Sequence, residues 1–311
     1  MIRILGTIFA GLLGLAFGSF LNVCLSRWPA GESVIRPRSH CRNCDHTLFW
    51  WENIPLVSWL ALRGRCRQCR VPISWRYPLV ELAVAVLWGI SVWQALRGWQ
   101  GLNALLYPGW AASNVSNLLF FIGGKMILCW LLVALAFLDF EDLWLPDWLT
   151  LPGAAAGFFL TLLHFGVQWM LASTTPELMH NGQVRSQRHE IDILTIEWFL
   201  GILAAAGIIL LIRWIYWLIR KREGIGLGDA KLIALLAAWL GLPGALLAFA
   251  LGAIIGSITA LALLAVPAAR RGSESWAATK LPFGTFLCIG GIVSALWGQP
   301  MINAYMRWAG F

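Results

Sequence analysis

The chain has 311 residues, of which 59% are hydrophobic and 12% charged, and its mean hydropathy is +0.72. Since an ordinary globular protein carries about 25% charged residues, this composition excludes soluble, disordered and fibrous proteins. A net charge of +8 would suit nucleic acid binding, but nine of the 23 basic residues are arginines between Arg27 and Arg76, directly after the first apolar segment. That distribution is typical of a cytoplasmic loop beside anionic lipid, so we expect membrane lipid and not nucleic acid as a partner.

Apolar segments long enough to cross a bilayer core of about 30 Å recur along the chain. They predict an all-α polytopic membrane protein with about eight transmembrane helices, at approximately 4–26, 78–97, 115–138, 148–171, 195–219, 230–242, 244–266 and 283–300. The sixth segment is short, which indicates a tilted or half-spanning helix. The first is too long for a signal peptide, the alternative interpretation, and is followed by arginines. With 27–77 in the cytoplasm, loops on that side hold 16 basic residues against five opposite, which predicts both termini outside.

Two polar segments interrupt the apolar sequence. Residues 27–77 predict a small cytoplasmic domain inserted after the first helix, 1–26. Residues 78–311 predict a membrane domain of about seven helices with a polar periplasmic loop near 173–194, to which the sequence assigns no role.

The first polar segment contains two Cys-x-x-Cys pairs, Cys41 with Cys44 and Cys66 with Cys69. Two such pairs about twenty residues apart are typical of a tetrahedral zinc site. A domain of about fifty residues with few large apolar side chains needs such a cross-link, because its own core is too small. We therefore predict a structural Zn²⁺ held by the four thiolates. Two disulfides are the alternative, in an oxidising compartment, and His40 or His46 could replace one cysteine.

Acidic residues are scarce, 15 in all, so their positions are informative. Asp139 directly follows the apolar run 131–138, and an ionisable residue at that depth indicates a functional site. Asp229 follows Gly226 and Gly228 at the start of the sixth segment, on the same predicted side of the membrane. These glycines allow a tight turn and the close approach of a substrate chain. Asp229 could equally cap a helix.

Two carboxyl groups brought to one depth by different helices can share a proton and activate water for hydrolysis of a peptide bond. An alternative hypothesis is a proton-coupled transporter that uses Asp139 and Asp229 as a relay, with Lys125 or Arg213 as partner. Inverted repeats would favour transport, and none is evident. A zinc-stabilised docking protein without catalysis is a third hypothesis.

Several short motifs occur in a fixed order along nearly the whole chain. Besides the two cysteine pairs, they are Gly-Ser-Phe-Leu-Asn-Val at 18–23, Trp-Glu-Asn-Ile-Pro-Leu-Val-Ser at 51–58, Arg-Tyr-Pro-Leu-Val-Glu at 76–81, Leu-Pro-Asp at 145–147, Gly-Leu-Gly-Asp at 226–229 and Pro-Phe-Gly at 282–284. Each is weak alone, but together the sequence resembles the prepilin peptidases, also called type IV prepilin leader peptidase/N-methyltransferases.

The resemblance implies that Asp139 and Asp229 are the catalytic aspartates of a membrane aspartic endopeptidase in the bacterial inner membrane. It implies cleavage of the basic leader of type IV prepilins or type II secretion pseudopilins after a glycine, on the cytoplasmic side. In many members, S-adenosylmethionine then supplies a methyl group to the new N-terminus. The cysteine domain accompanies members with both activities, so we expect both here.

Candidate counter-charges for the basic leader are Glu52, Glu81, Glu141 and Asp142, and the sequence does not decide whether Asp147 also contributes to substrate binding. The sequence locates no site for the methyl donor, because no dinucleotide-binding fingerprint follows a strand. It distinguishes neither pilus from secretion substrates nor one oligomeric state from another.

Overall fold

The computed structural model describes residues 1–97, 108–173, 183–221, 226–265 and 281–310. These residues form eight α-helices and no β-strand, as the all-α prediction requires. The helices are α1 (Ile2–Arg27), α2 (Val57–Ala61), α3 (Arg76–Ala95), α4 (Pro108–Asp142), α5 (Asp147–Ser173), α6 (Gln183–Arg220), α7 (Leu227–Ala265) and α8 (Phe283–Ala309).

Seven of these helices, all but α2, are long and apolar enough to cross a membrane. The sequence predicts about eight spans because it divides α7 into 230–242 and 244–266. Between those segments the helix is interrupted at Gly241, whose φ of 70° and ψ of 173° are not helical, and Pro243 follows. Glycine tolerates this conformation, and proline removes a backbone donor from the next turn. The structure therefore interrupts the helix within two residues of the predicted boundary, and that boundary is confirmed as a break between two helical segments.

Residues 183–194 of the predicted polar loop near 173–194 are helical, because α6 begins at Gln183. Residues 174–182 of that predicted loop lie outside the described residues. The first ten residues of α6, 183–192, include four charged residues, so hydropathy predicts no membrane-spanning helix there. Hydropathy detects only the apolar part. The last helix likewise continues past the predicted residue 300 to Ala309.

The chain divides into two compact units, which are described separately: Met1–Trp99 with Lys125–Ala134, and Gln100–Gly124 with Leu135–Phe311. In the first unit α1 and α3 are in backbone contact. A Cβ added at Gly14 would lie 2.6 Å from the Cα of Ala85, and one at Gly18 would lie 2.7 Å from the Cα of Glu81. Small residues four apart allow such close packing in membranes, where dispersion and not the hydrophobic effect holds helices together.

The second unit packs α5, α6, α7 and α8 around one another. Indole N–H groups link neighbouring helices, since Trp198 donates to the carbonyl of Ala237 at 3.1 Å and Trp239 donates to that of Gly153 at 2.8 Å. The second half of α7 lies against α8, where a Cβ added at Gly290 would meet the carbonyl oxygen of Ala248. This packing fixes the helix ends that carry the acidic residues of interest.

Candidate metal and catalytic sites

The four predicted zinc ligands lie together. The Sγ atoms of Cys41 and Cys69 are 3.7 Å apart, those of Cys44 and Cys66 are 4.0 Å apart, and all four lie within 4.8 Å of one another. Zn–S bonds of about 2.3 Å place the sulfurs of a tetrahedral site about 3.8 Å apart, whereas a disulfide needs about 2.05 Å. All four thiols are free. The set therefore fits zinc and not two disulfides.

The two Cys-x-x-Cys turns have the same backbone geometry. The N–H of Cys41 donates to the carbonyl of His46, and the N–H of Cys66 donates to that of Val71, each at 2.9 Å. The residue after each pair has a positive φ, 53° at Asp45 and 61° at Arg70. Each turn thus presents two thiols on one side. The backbone N–H of Val71 lowers the pKa of the Cys69 thiol, which favours the thiolate that binds metal, whereas the pKa of the neighbouring Cys44 thiol is raised.

Both histidines beside the first turn have other partners. His46 Nε2 lies 3.2 Å from Glu52 Oε2, and His40 Nδ1 lies 3.0 Å from the carbonyl of Arg38. Neither belongs to the group of side chains that could hold a metal. The geometry thus favours four cysteine ligands over a histidine replacement.

Two buried glutamates of the first unit, Glu52 and Glu81, stabilise its fold. Glu52 is buried, and its Oε2 accepts the N–H of Phe49 at 2.8 Å. Glu81 of α3 is also buried, and it accepts the N–H of Leu56 at 2.7 Å, where the backbone has a φ of 59°. Burial keeps both carboxylates from a basic leader in solvent, so the geometry does not favour them as counter-charges.

In the second unit, Asp139 lies one turn before the end of α4 and is 6% exposed. Its Oδ2 accepts a hydrogen bond from the backbone N–H of Thr285 at 2.6 Å. The Thr285 hydroxyl shares its one proton between the same Oδ2, at 3.1 Å, and the carbonyl oxygen of Ala136, at 3.0 Å. Thr285 lies in the first turn of α8, where N–H groups have no partner within the helix and the helix dipole favours negative charge. The sequence analysis missed Thr285, although it directly follows the Pro-Phe-Gly motif.

Asp229 lies in the first turn of α7 and is partly exposed. Its Oδ2 accepts the N–H of Gly226 at 3.1 Å, which is the reach-back contact of an N3 carboxylate at a helix start. Asp229 is therefore the third residue of the helix and not the N-cap residue that the alternative interpretation predicted, although its carboxylate does cap a backbone N–H at the helix start. This contact does not remove the carboxyl from the site, because the neighbouring Gly228 packs against Leu145, which also lies against Gly284 beside the Asp139 carboxyl.

Leu145 fills the space between the two acidic helix ends. Its Cδ1 would lie 3.1 Å from a Cβ at Gly228 and 3.0 Å from a Cβ at Gly284. Gly228 therefore has a packing reason to be glycine, whereas Gly226 is exposed, with only Asp229 and Gly228 near its Cβ position. Of the two predicted substrate-loop glycines, Gly226 is the more accessible to an extended chain.

The other acidic residues between positions 139 and 147 are exposed. Asp142, at the end of α4, is exposed. Asp147 begins α5, and its Oδ1 accepts a hydrogen bond from the ammonium group of Lys231, two residues after Asp229. This ion pair links the start of α7 to the start of α5. Of the residues considered for contact with the basic leader, Glu141, Asp142 and Asp147 are exposed to solvent.

Comparison with known proteins agrees with these features. Residues 12–95 match the Bacterial Peptidase A24 N-terminal domain, and residues 184–261 match the Type IV leader peptidase family. Three relatives, each named prepilin leader peptidase/N-methyltransferase, come from Stutzerimonas stutzeri (32% identical, 96% of this chain and 93% of the relative), Pseudomonas aeruginosa (33%, 96% and 93%) and Aeromonas hydrophila (33%, 95% and 92%). No solved structure matches the chain. Identity above 30% over almost the whole length shows that the chain belongs to the prepilin leader peptidase/N-methyltransferase family.

Proposed function

We propose that the chain is a membrane aspartic endopeptidase that removes the basic leader of type IV prepilins or type II secretion pseudopilins after a glycine. We further propose that it N-methylates the new N-terminus. The observation that carries the peptidase proposal is that Leu145 contacts both Gly228, the neighbour of Asp229, and Gly284, which lies against the Asp139 carboxyl, in a chain of this family. Family membership favours this function over the proton-coupled transporter.

The two carboxyls divide the chemistry between them. The ionised member accepts a proton from water, whose oxygen then attacks the scissile carbonyl carbon, while the protonated member donates a hydrogen bond to the carbonyl oxygen. Proton delivery to the leaving nitrogen then completes cleavage of the C–N bond. The hydrogen bonds from Thr285 hold the Asp139 carboxyl in place before substrate arrives, so less reorganisation is needed during the reaction.

The proposed substrate geometry follows from where the helices end. Asp139 is three residues from the end of one candidate span, and Asp229 is the third residue of another. Both therefore lie at a membrane edge, where the scissile bond of a membrane-anchored prepilin would lie. A glycine before that bond eases local unwinding of the substrate helix. The excess of basic residues in the loops supports a cytoplasmic location for this edge.

The remaining groups have distinct roles in this proposal. Zinc bound by the four cysteines would stabilise the domain that follows α1. When bound, S-adenosylmethionine supplies an electrophilic methyl group for the amine released by cleavage, and that amine loses a proton to solvent. Asp142 and Asp147 are the exposed carboxylates that we propose for contact with the basic leader.

The test is cleavage of a purified prepilin, scored as substrate shortening on a gel. Asp139→Asn and Asp229→Asn should each lower the cleavage rate by about 10³-fold, within the range for loss of a general acid or base. Glu197→Gln is a matched control, since it makes the same acid-to-amide change at an exposed glutamate of α6; it should cleave at the wild-type rate. Full activity in either asparagine variant would contradict a catalytic role for that aspartate. It would favour the alternative hypothesis, in which the two aspartates relay protons in a transporter.

A further inference from the structure

A cavity of about 480 Å³ lies within the first unit, between the C-terminal half of α1 and residues 34–55. Sites for small organic ligands are typically about 300–1,000 Å³. Ala16, Phe20 and Val23 of α1 form an apolar wall of this cavity, and α1 is a candidate span that ends at Arg27. The cavity therefore lies at the membrane edge of this helix, where a ligand can occupy it with part of its structure in the bilayer.

The charged side chains that line the cavity are both basic. They belong to Arg27 and Arg38, and none of the described residues in the lining is acidic. The buried Glu52 and Glu81 are outside the lining, and each accepts a backbone N–H group elsewhere in the unit. A concave site with charge of one sign attracts ligands of the opposite sign, so the cavity favours a ligand with net negative charge.

The two arginines differ in what they offer to an anion. The Arg27 guanidinium is buried and donates to the carbonyls of Ser33 at 2.7 Å and Pro37 at 2.6 Å. It therefore fixes the backbone from which the next residue, Arg38, extends. Arg38 is exposed, and a guanidinium presents a fork of donors that binds a phosphate through two hydrogen bonds. Arg38 is thus the residue that can contact a phosphate group directly.

The wall that faces α1 has the composition of a membrane interface. Ile35 and Trp50 are 82% and 76% exposed, and Phe49 is also exposed. Apolar side chains grouped at a surface indicate that another apolar phase covers them, and tryptophan favours the depth of lipid headgroups. Ser39 and Asn53 add hydroxyl and amide groups that can bond to glycerol hydroxyls. A ligand with a phosphate, a glycerol unit and acyl chains matches all of these groups.

We propose that this cavity binds an anionic phospholipid, with Arg38 as the partner of its phosphate and the acyl chains along Phe20 and Val23 of α1. Basic pockets beside membrane helices bind the headgroups of anionic lipids. A free phosphate shares the headgroup chemistry but would leave the apolar wall of α1 uncovered, so we propose the lipid as the occupant. The bound lipid would hold residues 34–55 at the membrane surface, beside the end of α1.

The test measures lipid binding to the purified, zinc-loaded full-length protein by native mass spectrometry. Phosphatidylglycerol should bind about 10-fold more tightly than phosphatidylcholine with the same acyl chains, because the choline cation offsets the attraction to the arginines. Arg38→Ala should weaken phosphatidylglycerol binding by about 10-fold, as expected for loss of a charge-assisted hydrogen bond. Ser39→Trp should abolish this binding by filling the cavity. Zinc content and Tm of each preparation verify that the variants are folded.

The matched control is Arg65→Ala, which removes the same charge from an exposed residue of the same unit that does not line the cavity. It should bind phosphatidylglycerol like the wild type. Equal losses in Arg38→Ala and Arg65→Ala would show a general attraction to basic surface and would overturn the cavity as a specific site. Equal affinity of the wild type for the two lipids would overturn it as well.

A phosphatidylglycerol with a photoreactive headgroup provides an arm that needs no variant. Its label should be recovered within residues 34–55, and a large excess of inorganic phosphate should not displace it. Displacement by phosphate would mean that the site takes the free anion, which would overturn the assignment to lipid. None of these outcomes depends on cleavage or methylation.

Discussion

Replacing Gly284 with alanine places a methyl group against the carboxyl of Asp139. The added Cβ would lie 2.9 Å from both Cγ and Oδ2 of Asp139 and 3.0 Å from Cδ1 of Leu145. Ordinary carbon contacts are about 3.5–4.0 Å, so the carboxyl must move by roughly 0.6 Å or more. The 2.6 Å hydrogen bond from the N–H of Thr285 to Oδ2 would then lengthen beyond its best range.

This displacement should affect the chemical step more than substrate binding. A misplacement of about 1 Å can lower a rate by about 10²-fold, so we expect Gly284→Ala to lower kcat for leader cleavage by about 10²-fold with little change in KM. Overpacking costs about 1–3 kcal/mol of stability, which would lower Tm but leave the protein folded. The assay is steady-state cleavage of a purified prepilin, with Tm and zinc content measured on the same preparation.

The matched control is Gly123→Ala in α4, where an added Cβ meets nothing within 4 Å. That variant should keep the wild-type kcat and a Tm at or slightly above wild type, because alanine is the better helix former. A Gly284→Ala enzyme that is folded and has an unchanged kcat would refute the reasoning. It would mean either that Asp139 tolerates displacement or that its carboxyl takes no part in cleavage.

Three further predictions address the metal site and the support of Asp139. Elemental analysis should find about one zinc per chain, and the double substitution Cys41→Ser with Cys44→Ser should remove it and lower Tm; a metal-free preparation of wild-type stability would contradict the structural role. Because protons compete with zinc for thiolates, acidification from pH 7.5 to 5 should release zinc to a chromogenic chelator. An increase in zinc release with rising pH would contradict thiolate ligation. Thr285→Val removes the hydroxyl bond to Asp139 but keeps the backbone bond, so cleavage should fall about 10-fold and Thr285→Ser should restore it; equal loss in both variants would point to a packing defect.

The sequence by itself determined the membrane class, six of the seven spans as single segments and the four cysteines, because each of these signals is local. A helix that crosses lipid must be apolar over about twenty residues whatever it packs against, and a Cys-x-x-Cys turn presents two thiols from four consecutive residues. Both carboxyls were also identifiable, since an acid at the end of an apolar run is rare enough to be informative. The local signal failed at 183–194, where a polar segment is helical.

Only the tertiary structure decided what surrounds those carboxyls. Thr285 is 146 residues from Asp139 along the chain, and Gly284 contacts the same carboxyl, so neither role follows from any local pattern. The same holds for Leu145, which fills the space between Gly228 and Gly284, and for the burial of Glu52 and Glu81, which carry the same charge as the exposed Asp142. Hydropathy and spacing report what a residue is and how far it lies from its chain neighbours. Contacts between helix ends depend on how the helices pack, and that packing arises from many weak contacts distributed over the whole second unit.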